Sequence, residues 1–155
     1  MDTDPTAKDP TLSEDATVVL ALARTSLPFA ATRAEEGERW LRVLRMHGQV
    51  GVALQALGVG EASLAAATEA ATDGHARARW DGGRRHYETV TDVCCRAREL
   101  AHRTGADTVG TLHILSAVLA VYGETFDDEL SRHGTSRDEV LAQLGVEPAL
   151  AAAAA

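Results

Sequence analysis

The apolar residues in the first half of the chain recur at the spacing of amphipathic helices. Ser13 can cap a helix that runs to about Leu27, and Pro28 then stops it. The apolar face of this helix is predicted to hold Val18, Val19, Leu22 and Ser26. Three further helices are predicted, in the segments "EEGERWLRVLRM", "VGVALQALG" and "EASLAAATEAAT". Their predicted inward residues and closing glycine are Trp40, Leu41, Leu44, Val50, Leu54, Leu57 and Gly58.

The second half repeats this order of helices after a stretch without periodicity. Residues 74–86, "GHARARWDGGRRH", combine glycines with arginines and predict a linker. A helix is then predicted from Tyr87 to Thr104, closed by Gly105. The segments "TLHILSAVLAVY", "ETFDDELSRHG" and "SRDEVLAQLG" predict three more, the last capped by Ser136. Because no strand pattern stands out, the sequence predicts an all-α fold.

The two halves can be aligned on each other. Trp40 and Leu41 fall on Ile114 and Leu115 at an offset of about 74 positions. Leu54 and Gly58 fall on Leu130 and Gly134 at an offset of about 76. This pattern predicts a tandem repeat of about 75 residues whose units pack together, since neither buries enough apolar surface alone.

The predicted domain organisation follows from the repeat. A flexible lead covers residues 1–11, which are acidic and almost without apolar side chains. One globular domain covers residues 12–145, with repeat one at 12–73 and repeat two at 87–145. Residues 146–155 are rich in alanine and are predicted to form a disordered tail.

Composition and charge exclude several classes of function. The net charge is −8, which disfavours a nucleic-acid binder, because such proteins are normally basic. No apolar run reaches the ~18 residues needed to span a membrane, and the polar N-terminus is unlike a signal peptide, so a cytoplasmic protein is expected. The adjacent Cys94 and Cys95 are expected to be small, partly buried helix residues rather than a disulfide or zinc site.

The motif "GTLH" is the strongest candidate for chemistry. Thr111 and His113 lie two positions apart, so they point in different directions on a helix and cannot form a nucleophile–base pair. Thr111 is therefore expected to cap a helix, and His113 to donate a hydrogen bond within the repeat. The six histidines show no metal-binding spacing, and no Gly-x-Ser-x-Gly occurs. The sequence thus predicts no catalytic residue, no metal and no cofactor.

The second half resembles the Clp N-terminal repeat of the Clp AAA+ ATPases. The resemblance rests on "ARELAHRTGADTVGTLHILSAVL" followed by "DDELSRHGTSRDEVLAQLG". The first half matches more loosely, through "VVLALA", a degenerate "EGERWL" and "VALQALGVG". The resemblance covers about residues 12–145, and no phosphate-binding loop of an ATPase is present. The chain therefore looks like a free-standing Clp N-domain.

The resemblance implies two pseudo-symmetric four-helix repeats packed into one globular domain. It also implies a non-catalytic module that binds proteins and peptides for Clp-mediated proteolysis. The implied partners are a Clp ATPase, its adaptors or its client peptides. In some bacteria such domains read phosphorylated arginine, and in actinobacteria they bind cyclic peptide antibiotics. The chain could then act as an adaptor, as a competitor or as a decoy for such antibiotics.

Site residues follow from the resemblance position by position. In the family, a Glu of the Gly-Thr-Glu-His motif and a Thr at the start of the repeat's first helix form a phosphoarginine pocket. Glu38 falls on that Glu, Ser13 on that Thr, and Arg39 replaces the His. In the second repeat Leu112 replaces the Glu and Tyr87 replaces the Thr, so that pocket is expected to be lost. The simpler interpretation of Glu38 is an exposed carboxylate stabilised by a helix N-terminus, by about 0.3–1 kcal/mol.

A second family surface lies between the repeats and receives peptides. Leu12, His86 and Tyr87 occupy its positions here. Tyr87 could equally pack the start of its helix.

An alternative function is open as well: a self-associating structural or regulatory helical domain whose ancestral pocket is eroded. The expected state is a monomer or a weak dimer.

Overall fold

The structure is a computed structural model and describes residues 8–60 and 82–146, with side chains from Glu88 onward in the second range. The described chain is predominantly helical, in agreement with the predicted all-α class. Its helices are α1 (Glu14–Ser26), α2 (Arg33–Arg45), α3 (Gly48–Ala56), α4 (Gly82–Arg103), α5 (Thr111–Tyr122), α6 (Glu124–Arg132) and α7 (Arg137–Gln143). A 3-10 turn, Leu27–Phe29, follows α1 directly.

Helix α1 begins where the sequence predicts, but it buries a different face. The Ser13 hydroxyl accepts a hydrogen bond from the Ala16 N–H at 3.1 Å, which confirms the predicted cap. The buried residues are Ala16, Val19, Leu20 and Ala23, at helical spacing. Val18 and Leu22 of the predicted face are 37% and 40% exposed. Val19 is buried as predicted, but the prediction for Val18 and Leu22 was wrong, because two alanines occupy contact positions and the largest side chains do not mark the buried stripe.

Helices α2 and α3 follow the predicted pattern closely. Trp40, Leu41 and Leu44 are fully buried, as are Val50 and Leu54. Helix α2 begins at Arg33, two residues before the predicted segment "EEGERWLRVLRM", because the Thr32 hydroxyl caps it by accepting from the Glu35 N–H at 3.2 Å.

Helix α4 begins at Gly82, ahead of the predicted start at Tyr87. Arg84 and Arg85 are good helix formers and are consistent with this longer helix. The helix predicted over residues 61–72, and residues 74–81 of the predicted linker, lie outside the described residues. So do residues 147–155 of the predicted tail.

Two short strands were not predicted, because a strand of two residues has no visible alternation. β1 (Thr11–Leu12) and β2 (Thr108–Val109) pair in parallel, with Thr11 opposite Thr108 and Leu12 opposite Val109. Thr11 N–H donates to the Asp107 carbonyl at 3.1 Å, and Pro10 beside it is buried. The end of the predicted flexible lead is therefore part of the fold.

The start of α5 differs from the prediction in which residue caps the helix. Gly110, not Thr111, is the N-cap residue, and Thr111 is the first helical residue and is 3% exposed. His113 Nδ1 accepts a hydrogen bond from the Gly110 N–H at 3.0 Å, so His113 accepts where the sequence analysis expects it to donate. A side chain at this third helical position that reaches back to the cap residue is the return bond of a capping box.

One buried apolar cluster joins both parts of the described chain. Helices α4 and α5 pack against each other, and α1, α2 and α3 pack onto them. The largest fully buried side chains come from both parts and include Trp40, Leu44, Leu54, Ile114, Leu115, Phe126 and Leu130. In the described ranges, no helix combines the length and the apolar character that a membrane crossing requires.

A close approach between two helices lies where α3 begins beside α5. Gly48 has φ +64°, and a Cβ built on it would lie 2.7 Å from Thr111 Oγ1. Thr111 is β-branched and buried, so it cannot move aside cheaply. Gly134 also has a positive φ, +78°, but nothing lies within 4 Å of the Cβ position there.

These two glycines give a matched test of the contact. We expect Gly134→Ala to cost about 1–2 kcal/mol of unfolding free energy, since only the left-handed backbone is strained. Gly48→Ala is expected to cost about 1–3 kcal/mol more, through overpacking against Thr111. Urea unfolding followed by circular dichroism measures both values. Equal losses in the two variants would contradict the close contact.

Candidate functional site

The predicted site residue Glu38 lies where α2 meets α6. Gly37 lies at this contact, where a Cβ would be 3.4 Å from Glu129 Cγ and 3.8 Å from Phe126, which are ordinary contact distances. The Glu38 side chain is 12% exposed and that of Glu129 is 3% exposed. Glu38 is therefore not the freely exposed carboxylate of the simpler interpretation.

Both carboxylates are paired with arginines of their own helices. Glu38 accepts from Arg42 at 3.2 Å, one helical turn along α2. Glu129 accepts from Arg132 at 2.6 Å, one turn along α6. We call these four residues, together with His133, the carboxylate–arginine cluster.

Burial shifts the pKa values of two members of this cluster. It raises the pKa of Glu129, against the opposing influence of Arg132, while Glu38 and Asp128 raise it further. Burial lowers the pKa of His133, although Glu38 acts in the opposite direction. His133 Nδ1 is buried and has no hydrogen-bond partner among the described residues. The carboxylates of the cluster are thus largely buried, whereas the Arg42 and Arg132 side chains that pair with them are 40% and 66% exposed.

The chemistry of the cluster is recognition of guanidinium groups by carboxylates. Such pairs form charge-assisted hydrogen bonds that are stronger than neutral ones. In the folded chain, however, the guanidinium beside Glu38 belongs to Arg42. A ligand guanidinium must therefore compete with this internal partner for the same carboxylate.

A buried polar network adjoins the cluster on the other side of α2. The Tyr122 hydroxyl donates to Glu36 Oε2 at 2.7 Å and accepts from Trp40 Nε1 at 3.1 Å. Burial and the adjacent Glu36 carboxylate raise the pKa of Tyr122 well above its usual range. The Arg33 guanidinium lies 4.7 Å from the centre of the Tyr122 ring and donates to the Val121 carbonyl. This network ties α2 to the end of α5.

The other predicted site residues have different neighbours. Ser13 caps α1, and its N–H donates to the Val109 carbonyl at 3.0 Å. Arg39 donates to the Phe29 carbonyl at 3.3 Å. Leu12 is half-buried, packs against the apolar core and pairs with Val109. The structure therefore gives Ser13 and Glu38 separate surroundings, with Ser13 beside β2 and Glu38 beside α6.

His86 and Tyr87 lie in the first turns of α4, and their side chains are outside the described residues. Leu112, which replaces the family's second Glu, is half-buried and packs against the core. In the described part of the chain, no group of three His, Cys, Asp or Glu side chains is arranged to hold a metal ion.

Sequence reasoning missed the partners of Glu38 rather than Glu38 itself. The pairs Glu38–Arg42 and Glu129–Arg132 have the i, i+4 and i, i+3 spacing of helical ion pairs, so each pair was visible in the sequence. The sequence did not show that the two pairs lie side by side, because this depends on how α6 packs against Gly37.

Comparisons with known proteins return no match: no family model, no curated protein and no solved structure resembles the chain closely enough.

His113 supplies a pH test of the cap on α5. Burial lowers its pKa, and its Nδ1 must be unprotonated to accept from Gly110. Because the folded pKa is below the unfolded value of about 6.5, the stabilisation is present above that pH and is lost as the pH falls towards the folded pKa. We therefore expect the wild type to lose stability between pH 7.5 and 5.

Two variants isolate the contribution of His113. His113→Gln keeps an acceptor at the third helical position but does not titrate, so its stability should depend less on pH than that of the wild type. His113→Ala should lose about 0.5–2 kcal/mol at neutral pH. Urea unfolding at several pH values measures both effects, and His133 and Glu129 titrate equally in all three proteins. The same pH dependence in wild type and His113→Gln would show that the cap does not involve this imidazole.

Proposed function

We propose that the chain is a non-catalytic protein- and peptide-binding module related to the Clp N-domain, built from two pseudo-symmetric four-helix repeats. In this role it acts as an adaptor, a competitor or a decoy linked to Clp-mediated proteolysis. Its ligands are a Clp ATPase, the adaptors or client peptides of that ATPase, or cyclic peptide antibiotics aimed at it.

The observation that carries the proposal is that residues about 75 positions apart occupy like environments. The aligned core pairs Trp40 and Ile114, Leu41 and Leu115, and Leu54 and Leu130 are all fully buried. Burial of aligned positions is what a tandem repeat predicts, and it supports the proposed relation between the halves.

The third helix of each half adds a backbone argument. Helices α3 and α6 have nine residues each. A glycine with positive φ lies at the start of each, Gly48 at +64° and Gly123 at +53°. Each ends with the same closing bonds: Val59 N–H donates to Leu54 at 3.1 Å, and Thr135 N–H donates to Leu130 at 3.1 Å.

The polar groups support binding rather than catalysis. Thr111 and His113 form a helix start, with His113 accepting from Gly110 and Thr111 packed on Gly48. Glu36, Tyr122 and Trp40 hydrogen-bond with one another in the interior. A catalytic group must reach a substrate, and these groups instead hold helices together.

The first test is direct binding by the full chain. We expect immobilised chain to bind a purified Clp ATPase, a Clp adaptor or a Clp-directed cyclic peptide, measured by biolayer interferometry. Binding to none of the three by a folded wild-type chain contradicts the proposal.

The carboxylate–arginine cluster supplies a sharper test of ligand class. If Glu38 receives the guanidinium of phosphoarginine, Arg42 competes with it, and Arg42→Met should tighten phosphoarginine binding by about two- to fivefold. Glu38→Gln should weaken it. Arg24→Met, an equal change in charge on the exposed side of α1, is the matched control. Isothermal titration with phosphoarginine measures all four proteins, and an unchanged affinity in Glu38→Gln would remove Glu38 from the site.

The alternative, a self-associating helical domain, is favoured by one observation. Val18, Leu22 and Phe29 are exposed at 37%, 40% and 73%, and they follow one another along α1 and its 3-10 turn. Exposed apolar patches commonly mark contact surfaces. A stable dimer in analytical ultracentrifugation, weakened by Leu22→Gln and Phe29→Ser, together with no Clp ligand, supports this alternative.

A further inference from the structure

A basic groove lies on the side of α4 that faces the start of the described chain. Its volume is about 610 Å³, and its walls are formed by the end of the N-terminal lead and the last two turns of α4. The lining residues that carry charge are Asp9, Arg96, Arg98, Glu99 and Arg103.

The fold holds this groove open through the pairing of β1 with β2. Thr11 N–H donates to Asp107, which anchors the lead beside the end of α4. Pro10 is buried and forms part of the wall, whereas Asp9 is exposed. The backbone pairing therefore fixes the position of the wall that Asp9 and Pro10 form.

The arginines of the groove differ from the others described above. Arg33, Arg39, Arg42, Arg45, Arg132 and Arg137 each donate a hydrogen bond to another residue of the chain. Within residues 8–60 and 88–146, the guanidinium groups of Arg96, Arg98 and Arg103 take part in no ion pair or hydrogen bond, and all three residues are exposed. Each guanidinium keeps its planar set of donors, which matches a carboxylate in two parallel hydrogen bonds.

The position of this groove is unusual for so acidic a chain. The net charge of −8 disfavours approach of anions in general. Three cations against the two carboxylates Asp9 and Glu99 make the groove locally positive. Arg103 also lies in the last turn of α4, where the negative end of the helix dipole favours a cation.

We propose that this groove binds an extended, carboxylate-rich segment of a partner protein. Arg96 and Arg103 are seven residues apart on α4, which separates them by roughly 10 Å along the helix axis. Carboxylates on alternate residues of an extended segment recur about every 7 Å, so one segment spans the distance from Arg96 to Arg103, and Arg98 lies between them along the helix axis. A single phosphate is too small to span this distance, and a nucleic acid would meet Asp9 and Glu99 with a continuous row of negative charge.

The inference rests on the proposed function only in that the chain binds peptides; it names the chemistry of one partner.

The test uses the full chain and a fluorescein-labelled peptide of alternating Glu and Ser, with fluorescence anisotropy as the readout. The comparison probes are a peptide of alternating Lys and Ser, inorganic phosphate as a competitor, and an oligothymidylate. Measurements at low and at near-physiological salt report the screening of exposed charges.

We expect the Glu-Ser peptide to bind and the Lys-Ser peptide not to bind. Each of Arg96→Gln, Arg98→Gln and Arg103→Gln should weaken the Glu-Ser peptide by about two- to fivefold, and the triple variant by at least about tenfold. Asp9→Asn should tighten it, because a repelling carboxylate is removed. Arg24→Gln, the same change in charge outside the groove, should leave it unchanged, and circular dichroism confirms that each variant folds.

Several results would overturn the inference. These are no binding of the Glu-Ser peptide, equal binding by the wild type and the triple variant, or tighter binding of phosphate or oligothymidylate than of the peptide. Binding of a Clp ligand by the same preparations separates the two proposals. If the triple variant and the wild type bind a Clp ligand but neither binds the Glu-Ser peptide, the groove assignment fails and the proposed function stands. If the Glu-Ser peptide binds through the arginines and no Clp ligand binds, the groove assignment stands and the proposed function fails.

Discussion

The contact between Gly48 and Thr111 is the constraint on which the arrangement of the described helices depends. It lets the start of α3 lie directly against the start of α5, with Asp15 of α1 beside them. Glycine is the only amino acid that both adopts this positive φ without strain and has no side chain to meet Thr111. The Gly-Thr-x-His segment therefore has a structural role. Gly110 and His113 cap the start of α5, and Thr111 packs into the space that the missing side chain of Gly48 leaves.

The sequence predicts the helices well where large apolar residues occupy the contact positions. Trp40, Leu41 and Leu44 mark the buried side of α2, and Ser136 marks the start of α7, where its hydroxyl accepts from Glu139. Prediction failed for α1, because its neighbours approach over Ala16 and Ala23 and leave Val18 outside. Periodicity reports which side chains are apolar, whereas burial depends on the shapes of the surfaces that meet.

The candidate site was predictable only in part for a related reason. Position-by-position resemblance selected Glu38, and the structure places this carboxylate in a charged cluster. The sequence could show that Arg42 is one turn away, but not that Glu129 of α6 and His133, which follows that helix, lie close to Glu38. The basic groove is a similar case, since its wall exists only because Thr11 pairs with Thr108. Sites formed by long-range packing leave no local pattern to recognise.

The pairing of β1 with β2 also has a consequence for the order in which the chain folds. Most contacts within a helical protein join residues close in sequence, and such contacts form quickly. Thr11 and Thr108 are roughly 100 positions apart, so closing this loop carries a large entropic cost that two short strands cannot repay alone. The pairing therefore depends on the packing of α1 against α4 and α5, which brings the two strands together and fastens the beginning of the domain to its centre.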